Sequence, residues 1–411
     1  MKVNQFTLKN GLNVFLVPQK EASSVAVELL VRAGSKHEEK GTEGLAHFLE
    51  HAVAKGTKKW PTARQIAKVI DSAGAVYNAY TGKEATGYWM KAAPEHLELA
   101  LELISQELLF PLLREKDIKT ERGVIIEELN MYEDRPMDKV EDFFEAQLLG
   151  SNALGRSIIG KKKSLLALKQ KDFKNFRKNW YRADRMSLSL VGAIKNASQA
   201  KNLVKKYFSS LLAKSKPEPK VKIIPAKKDV FWQRKKTEQT HFQIGLPAVG
   251  ANNPKKWPGK VLTAVLGQGM SSRLFAKIRE ERGWAYYIHS FQVNYLPAGF
   301  LAVKAGVKNE TAKQAINLVK KEFEKIKNNL TQEEVKRVKS MFKGRSLISF
   351  ESPITIANLL NRGWLFEREI YTPQKVINKG EAVTYSQVRD FANEFINLKN
   401  LRLAVIGPLG K

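Results

Sequence analysis

The residues best suited to chemistry are His47-Phe48-Leu49-Glu50-His51. On a helix His47 and His51 stand four apart, so both imidazoles leave the same face. Two neutral imidazoles at that spacing can chelate one zinc ion, at about 2.0–2.1 Å each. Glu50 is three residues from His47, on the adjoining edge of that face. It can reach a water on the ion without being a ligand. Such a water is acidified to a pKa of about 7, and a carboxylate can then take its proton. The alternative is a pair of surface histidines. Only six histidines occur in the chain, and this pair flanks a Glu in an otherwise apolar stretch, Leu45, Ala46, Phe48 and Leu49. Imidazoles on such a helix need a polar partner, and a metal supplies one. Thr42 is the expected N-cap of the helix and Gly56 its expected stop.

A catalytic zinc keeps three protein ligands and one open position. A carboxylate from TERGVIIEELNMYEDRP, residues 120–136, is the expected third ligand. Glu121, Glu127 and Glu128 compete. Seven residues separate Glu121 from Glu128, so they share a helix face, whereas Glu127 is turned about 100° from Glu128. Glu128 is taken as the ligand and Glu121 as the group that orients a histidine. From spacing alone, any one of these carboxylates reads more simply as a solvated helix face. H-x-x-E-H inverts the commoner H-E-x-x-H of zinc peptidases.

Composition removes other chemistries. The 411 residues include no cysteine, which excludes disulfides, thiolate metal sites and a cysteine nucleophile. No run of about 18 apolar residues occurs, so no membrane span is expected. The N-terminal stretch MKVNQFTLKNGLNVFLVPQ alternates apolar and polar residues rather than building a signal-peptide core, and a cytoplasmic protein is expected. Lys and Arg outnumber Asp and Glu, 70 to 41, for a formal net charge of +29. The excess is mostly Lys spread along the chain, unlike the Arg clusters of tight phosphate readers, so no specific nucleic-acid binding is expected.

The elements that must position these residues repeat. In the first half, VAVELLVRAG (25–34) reads as a strand, GLAHFLEH as a helix, YNAYTGKEATGYWMKA as a hairpin and PEHLELALELISQELL as an amphipathic helix, and MSLSLVG (186–192) closes it. The second half repeats the order with THFQIGLPAVG (240–250), KVLTAVLG, YYIHSFQVNYLPAGFLAVKAG, ETAKQAINLVKKEFEKI and LRLAVIG (401–407). The expected fold is α+β: two homologous α/β domains of duplicated origin, each an antiparallel-rich sheet packed with helices. The expected boundaries are 1–213 and 230–411, joined by the charged, proline-containing linker 214–229.

With these motifs the chain resembles the pitrilysin-type (M16) zinc metallopeptidases, of the short subfamily that includes mitochondrial processing peptidase and bacterial processing-like proteases. The resemblance covers nearly the whole chain. H-F-L-E-H is followed at the family spacing by E-R-x-V-I-x-E-E-L-x-M-Y-E-D. It implies one Zn²⁺ per chain on His47, His51 and Glu128, Glu121 in support and Glu50 as general base. It also implies that Asn78, Ala79, Tyr80 and Thr81 form an edge strand that takes an extended peptide beside the metal. GQGMSSRLFAKIREERGWAYYIHSF resembles the family's C-terminal signature and implies that Arg279 holds a substrate carbonyl and Tyr286 donates to the oxyanion. The second half carries no His or Glu at the metal positions of KVLTAVLG, so the halves have diverged. The sequence departs from the family pattern at Ala52-Val53-Ala54, where Met and a large aromatic are common; smaller side chains there are expected to leave space beside the site unless neighbours fill it.

The expected function is a zinc metalloendopeptidase acting on unfolded peptides or presequence-like segments, as a homodimer by analogy. The rival readings are a catalytically silent scaffold or chaperone subunit of the same fold, and a basic nucleic-acid-binding protein.

Overall fold

The computed structural model describes residues 1–218 and 220–408; Pro219 of the expected linker and the last three residues of the expected C-terminal domain lie outside the described residues. Its strands form two sheets. In the first, β1 (Asn4–Thr7), β2 (Asn13–Pro18), β3 (Val25–Val31), β4 (Val76–Thr81), β5 (Thr86–Ala92) and β6 (Met186–Gly192) take the order β1-β2-β6-β3-β5-β4. In the second, β7 (Val230–Arg234), β8 (Gln239–Ala248), β9 (Ala285–Asn294), β10 (Gly299–Lys308) and β11 (Arg402–Gly407) take the order β7-β11-β8-β10-β9. Both sheets are antiparallel except where the closing strand, β6 or β11, runs parallel to one neighbour. Both end on a hairpin whose first strand is the sheet edge, β4 in one and β9 in the other. The architecture is two homologous α/β domains, as the repeated order of elements predicts.

Each sheet buries both faces, which is why β3 is buried at every position rather than at alternate ones. On one face of the first sheet, Val27 and Leu29 share a core with Phe48 of the helix Leu45–Val53 and Ile104 of the helix Leu97–Leu109. On the other face Phe15, Val17 and Val191 pack against Ile356, Ala357 and Leu360 of the helix Pro353–Arg362. The second sheet is covered in the same way. Val140, Phe144 and Leu148 of the helix Pro136–Leu149 lie against Phe300, Ala302, Ala404 and Ile406.

The compact units therefore differ from the expected division at 213 and 230. One comprises Met1–Asn130, Arg156–Lys220 and Ser349–Pro373; the other comprises Met131–Gly155, Val221–Ile348 and Gln374–Lys411. Each half of the chain contributes a helix to the other half's sheet. The physical reason is the second apolar face. A fully buried Leu, Ile or Phe contributes about 1.5–3 kcal/mol, whereas doubling a connecting loop costs only about 0.6 kcal/mol. Nor is 214–229 a free linker. Glu218 accepts from Arg32 (3.0 Å), Lys36 (2.8 Å), His37 (3.2 Å) and Arg185 (2.6 Å), which fastens this end of the segment to the first unit. Among the described residues no helix is long and apolar enough to cross a membrane.

Candidate metal centre

The helix carrying His47 and His51 runs from Leu45 to Val53. Its N-cap is Gly44, not Thr42, whose hydroxyl instead donates to the Glu39 carbonyl. Gly44 has φ +94°, and a Cβ there would meet the Ile159 carbonyl oxygen at 2.5 Å, so glycine is needed twice over. A glycine cannot cap with a side chain. The buried Glu38 carboxylate does so from a distance, accepting from the Gly44 amide (3.0 Å) and the Ala46 amide (2.8 Å). The helix ends at Val53 with Ala54 as C-cap, before Gly56. Ala52 and Val53 are buried in the hydrophobic core.

Three ligand atoms converge. Nε2 of His47 and Nε2 of His51 each lie 3.7 Å from a different oxygen of Glu128. The ligand atoms of His47, His51 and Glu128 all fall within 4.8 Å of one another, and among the described residues this is the one group of three or more His, Asp or Glu able to hold an ion. At 3.7 Å these pairs are too far apart for hydrogen bonds. Two atoms each at about 2.0–2.1 Å from a tetrahedral zinc stand about 3.3 Å apart, so the three residues fit a shared zinc ion. Glu121 accepts from or donates to His51 Nδ1 at 2.9 Å and also pairs with Lys55 at 2.6 Å. Glu127 is exposed. One α-helix, Glu115–Asp134, thus separates the three competing carboxylates by direction alone. Only one ring is oriented in this way: Nδ1 of His47 is buried with no hydrogen-bond partner.

The electrostatics set the two histidines apart. Burial, and then the nearby His51, push the His47 imidazole down to about 4. The bond to Glu121 raises His51, against desolvation and with help from Glu50 and Glu128. Burial would raise Glu121, but His51 and Lys55 outweigh it and hold this carboxylate below its ordinary range. Glu50 is raised by burial, with the Thr81 hydroxyl and His51 pulling the other way.

Thr81 makes a contact that the sequence reading did not assign to it. Its hydroxyl donates to Glu50 Oε2 at 2.5 Å, so this residue of the edge strand holds the candidate base. Asn78, Ala79, Tyr80 and Thr81 all lie on β4, the last strand of its sheet, which among the described residues pairs with β5 alone. The Asn78 side chain accepts from the Ala79 amide at 2.8 Å. One residue earlier, Tyr77 donates to Glu107 at 2.7 Å. Glu107 is fully buried on the helix Leu97–Leu109, and burial pushes it up to about 8 against the pull of Tyr77. A carboxyl that binds its proton more tightly folded than unfolded stabilises the protein below its unfolded value and loses that contribution as pH rises through about 8. Glu107→Gln is therefore expected to flatten the fall in stability between about pH 5 and pH 8. Urea midpoints of parent and variant across that range are the check; parallel profiles would show that Glu107 is ionised throughout.

Arg279 and Tyr286 belong to the second unit. Arg279 is in the short π-helical segment Phe275–Glu280 and Tyr286 is the second residue of the edge strand β9. The guanidinium lies 6.0 Å from the Tyr286 ring and 5.0 Å from that of Phe275, so the structure brings these two residues together. Tyr286 is 74% exposed. The helix Lys256–Gly267, which answers to the metal helix, contains no His or Glu.

Comparison with known proteins adds the lineage. A family model described as insulinase (peptidase family M16) matches residues 14–162, and one described as the peptidase M16 inactive domain matches residues 167–342. An uncharacterized zinc protease of Bacillus subtilis is 30% identical over 99% of both chains. The chain belongs to peptidase family M16. An uncharacterized zinc protease of Streptomyces coelicolor is 29% identical over 99% of this chain and 90% of its own. Two crystal structures share the fold at a TM-score of 0.90. One is a protease from Helicobacter pylori, 24% identical, with 99% of each chain covered. The other, from Pseudomonas fluorescens and described as a peptidase M16 inactive domain, is 19% identical and covers 100% of this chain and 98% of its own. The inactive-domain match includes the stretch whose helix lacks metal-binding side chains, and the M16 match includes His47, His51 and Glu128.

Proposed function

We propose that this M16 protein is a zinc-dependent endopeptidase that hydrolyses unfolded peptides or presequence-like segments. The observation that carries the reading is the convergence of His47, His51 and Glu128 beside Glu50, a carboxylate on the same helix held by Thr81. Zinc bound by these three residues, one ion per chain, would polarise a peptide carbonyl and lower the pKa of a water towards 7. Glu50 accepts the proton of the attacking water and delivers it to the leaving amine, so the carboxylate is regenerated. Thr81 aims Glu50, and Glu121 orients His51 through Nδ1. The open edge of β4 supplies backbone donors and acceptors to an extended segment without reading its side chains. That mode suits unfolded chains. Family resemblance assigns Arg279 to the substrate carbonyl and Tyr286 to the oxyanion, and it extends the proposal to a homodimer; the N-terminal pattern of the sequence extends it to the cytoplasm.

The direct test is a mixture of unfolded peptides alongside a tightly folded protein. Peptides are expected to be cut and the folded protein spared. Failure to cut any peptide in the zinc-loaded state would sink the reading. Tyr286→Phe keeps the ring and removes the donor. Its kcat is expected to fall by about 10²–10³ with KM little changed; an unaltered kcat would remove Tyr286 from the mechanism.

A further inference from the structure

Glu28 is the one charged residue in β3, and it is 1% exposed. It points to the sheet face that carries the helix Pro353–Arg362, and its partners come from two separate elements, that helix and β4. Oε1 accepts from Tyr80 Oη of β4 at 3.2 Å and from Asn358 Nδ2 at 2.9 Å. Asn358 Nδ2 also donates to the Tyr80 oxygen at 2.6 Å, which closes a three-membered ring of contacts. Oε2 accepts from Asn361 Nδ2 at 3.1 Å, and Asn361 in turn accepts from Ser189 of β6 at 2.7 Å. Tyr80 crosses the sheet to reach Glu28 because Gly87 lies opposite; a Cβ at Gly87 would come within 2.4 Å of the Tyr80 ring.

Burying a carboxylate costs free energy unless every lone pair finds a partner. A core of Leu or Val would hold the sheet at least as well. What the polar cluster adds is direction: it fixes one residue of an edge strand that, among the described residues, has a neighbouring strand on one side only. That residue lies next to Thr81. Side chains alternate along a strand, so Thr81 reaches Glu50 on the metal face while Tyr80 is fastened on the opposite face.

We propose that Glu28, Tyr80 and Asn358 form a positioning triad that holds the β4 edge in register for peptide pairing. Through it, a helix from the far end of the chain steadies the strand beside the metal. The inference rests on β4 being the edge that takes peptides.

Two measurements separate the triad from that reading. Amide hydrogen exchange needs no substrate. Tyr80→Phe and Asn358→Ala are each expected to speed exchange across residues 76–81 by about fivefold, the scale of one neutral hydrogen bond, with β3 amides unchanged. The double variant is expected to add little beyond either single change, because the residues act as one contact. Unchanged exchange across 76–81 in both single variants, or fully additive effects, would overturn the triad. On peptides, the single variants are expected to raise KM by about the same factor as exchange, with the zinc content of the parent. Faster exchange with an unaltered KM would overturn the triad's role in peptide pairing and the edge-strand reading with it.

Discussion

Glu50→Gln is expected to keep its zinc and lose about 10²–10⁴ in kcat. The substitution preserves shape and leaves an oxygen to accept from Thr81, whose hydroxyl is 2.5 Å from the carboxylate. It removes a carboxylate that can take a proton without being a ligand. The ligand atoms of His47, His51 and Glu128 are untouched, so metal content should match the parent. Peptide turnover and zinc content read on one preparation decide the matter. Turnover near the parent's would show that the proton goes elsewhere. Loss of both zinc and turnover would show that Glu50 supports the ion rather than the reaction.

Glu128→Ala is expected to have the largest effect on the ion itself. It deletes one of three ligands, whereas changing an outer partner such as Glu121 typically costs about 10–100-fold in affinity. Zinc affinity is therefore expected to fall by more than about 100-fold, and turnover with it. Glu127→Ala, one residue away but exposed, is expected to leave both intact. Equilibrium dialysis against buffered zinc checks the pair. If Glu128→Ala bound zinc like the parent, the third ligand would be another residue.

How much of this was legible in the sequence follows from how local each feature is. The His47, Glu50 and His51 grouping is written in one helical turn, so the spacing alone put them on a common face. The seven-residue step from Glu121 to Glu128 put both on one helix face and turned Glu127 away from it; that this face meets the metal helix is seen in the structure. The duplication was legible because element order survives when identity does not. Long-range contacts were not. Glu38 caps the metal helix from six residues before Gly44, where a search for a Ser, Thr or Asp cap settles on Thr42. Thr81 reaches Glu50 across 31 positions of sequence, and nothing in NAYTG signals that its hydroxyl is spoken for. The exchanged helices Pro136–Leu149 and Pro353–Arg362 are ordinary amphipathic helices. Periodicity reports that such a helix has an apolar face, and it is silent on which sheet that face will cover. The same limit hid Glu28 and Asn358, 330 positions apart in sequence and 2.9 Å apart in space.

Removal and return of zinc tests the central claim most directly. The protein would be stripped with a chelator, dialysed and titrated with zinc while peptide cleavage is followed. The account predicts that cleavage disappears on stripping and returns in step with binding, reaching its plateau at one equivalent per chain. Cleavage that survives stripping, or stoichiometric zinc binding that restores none, would contradict it.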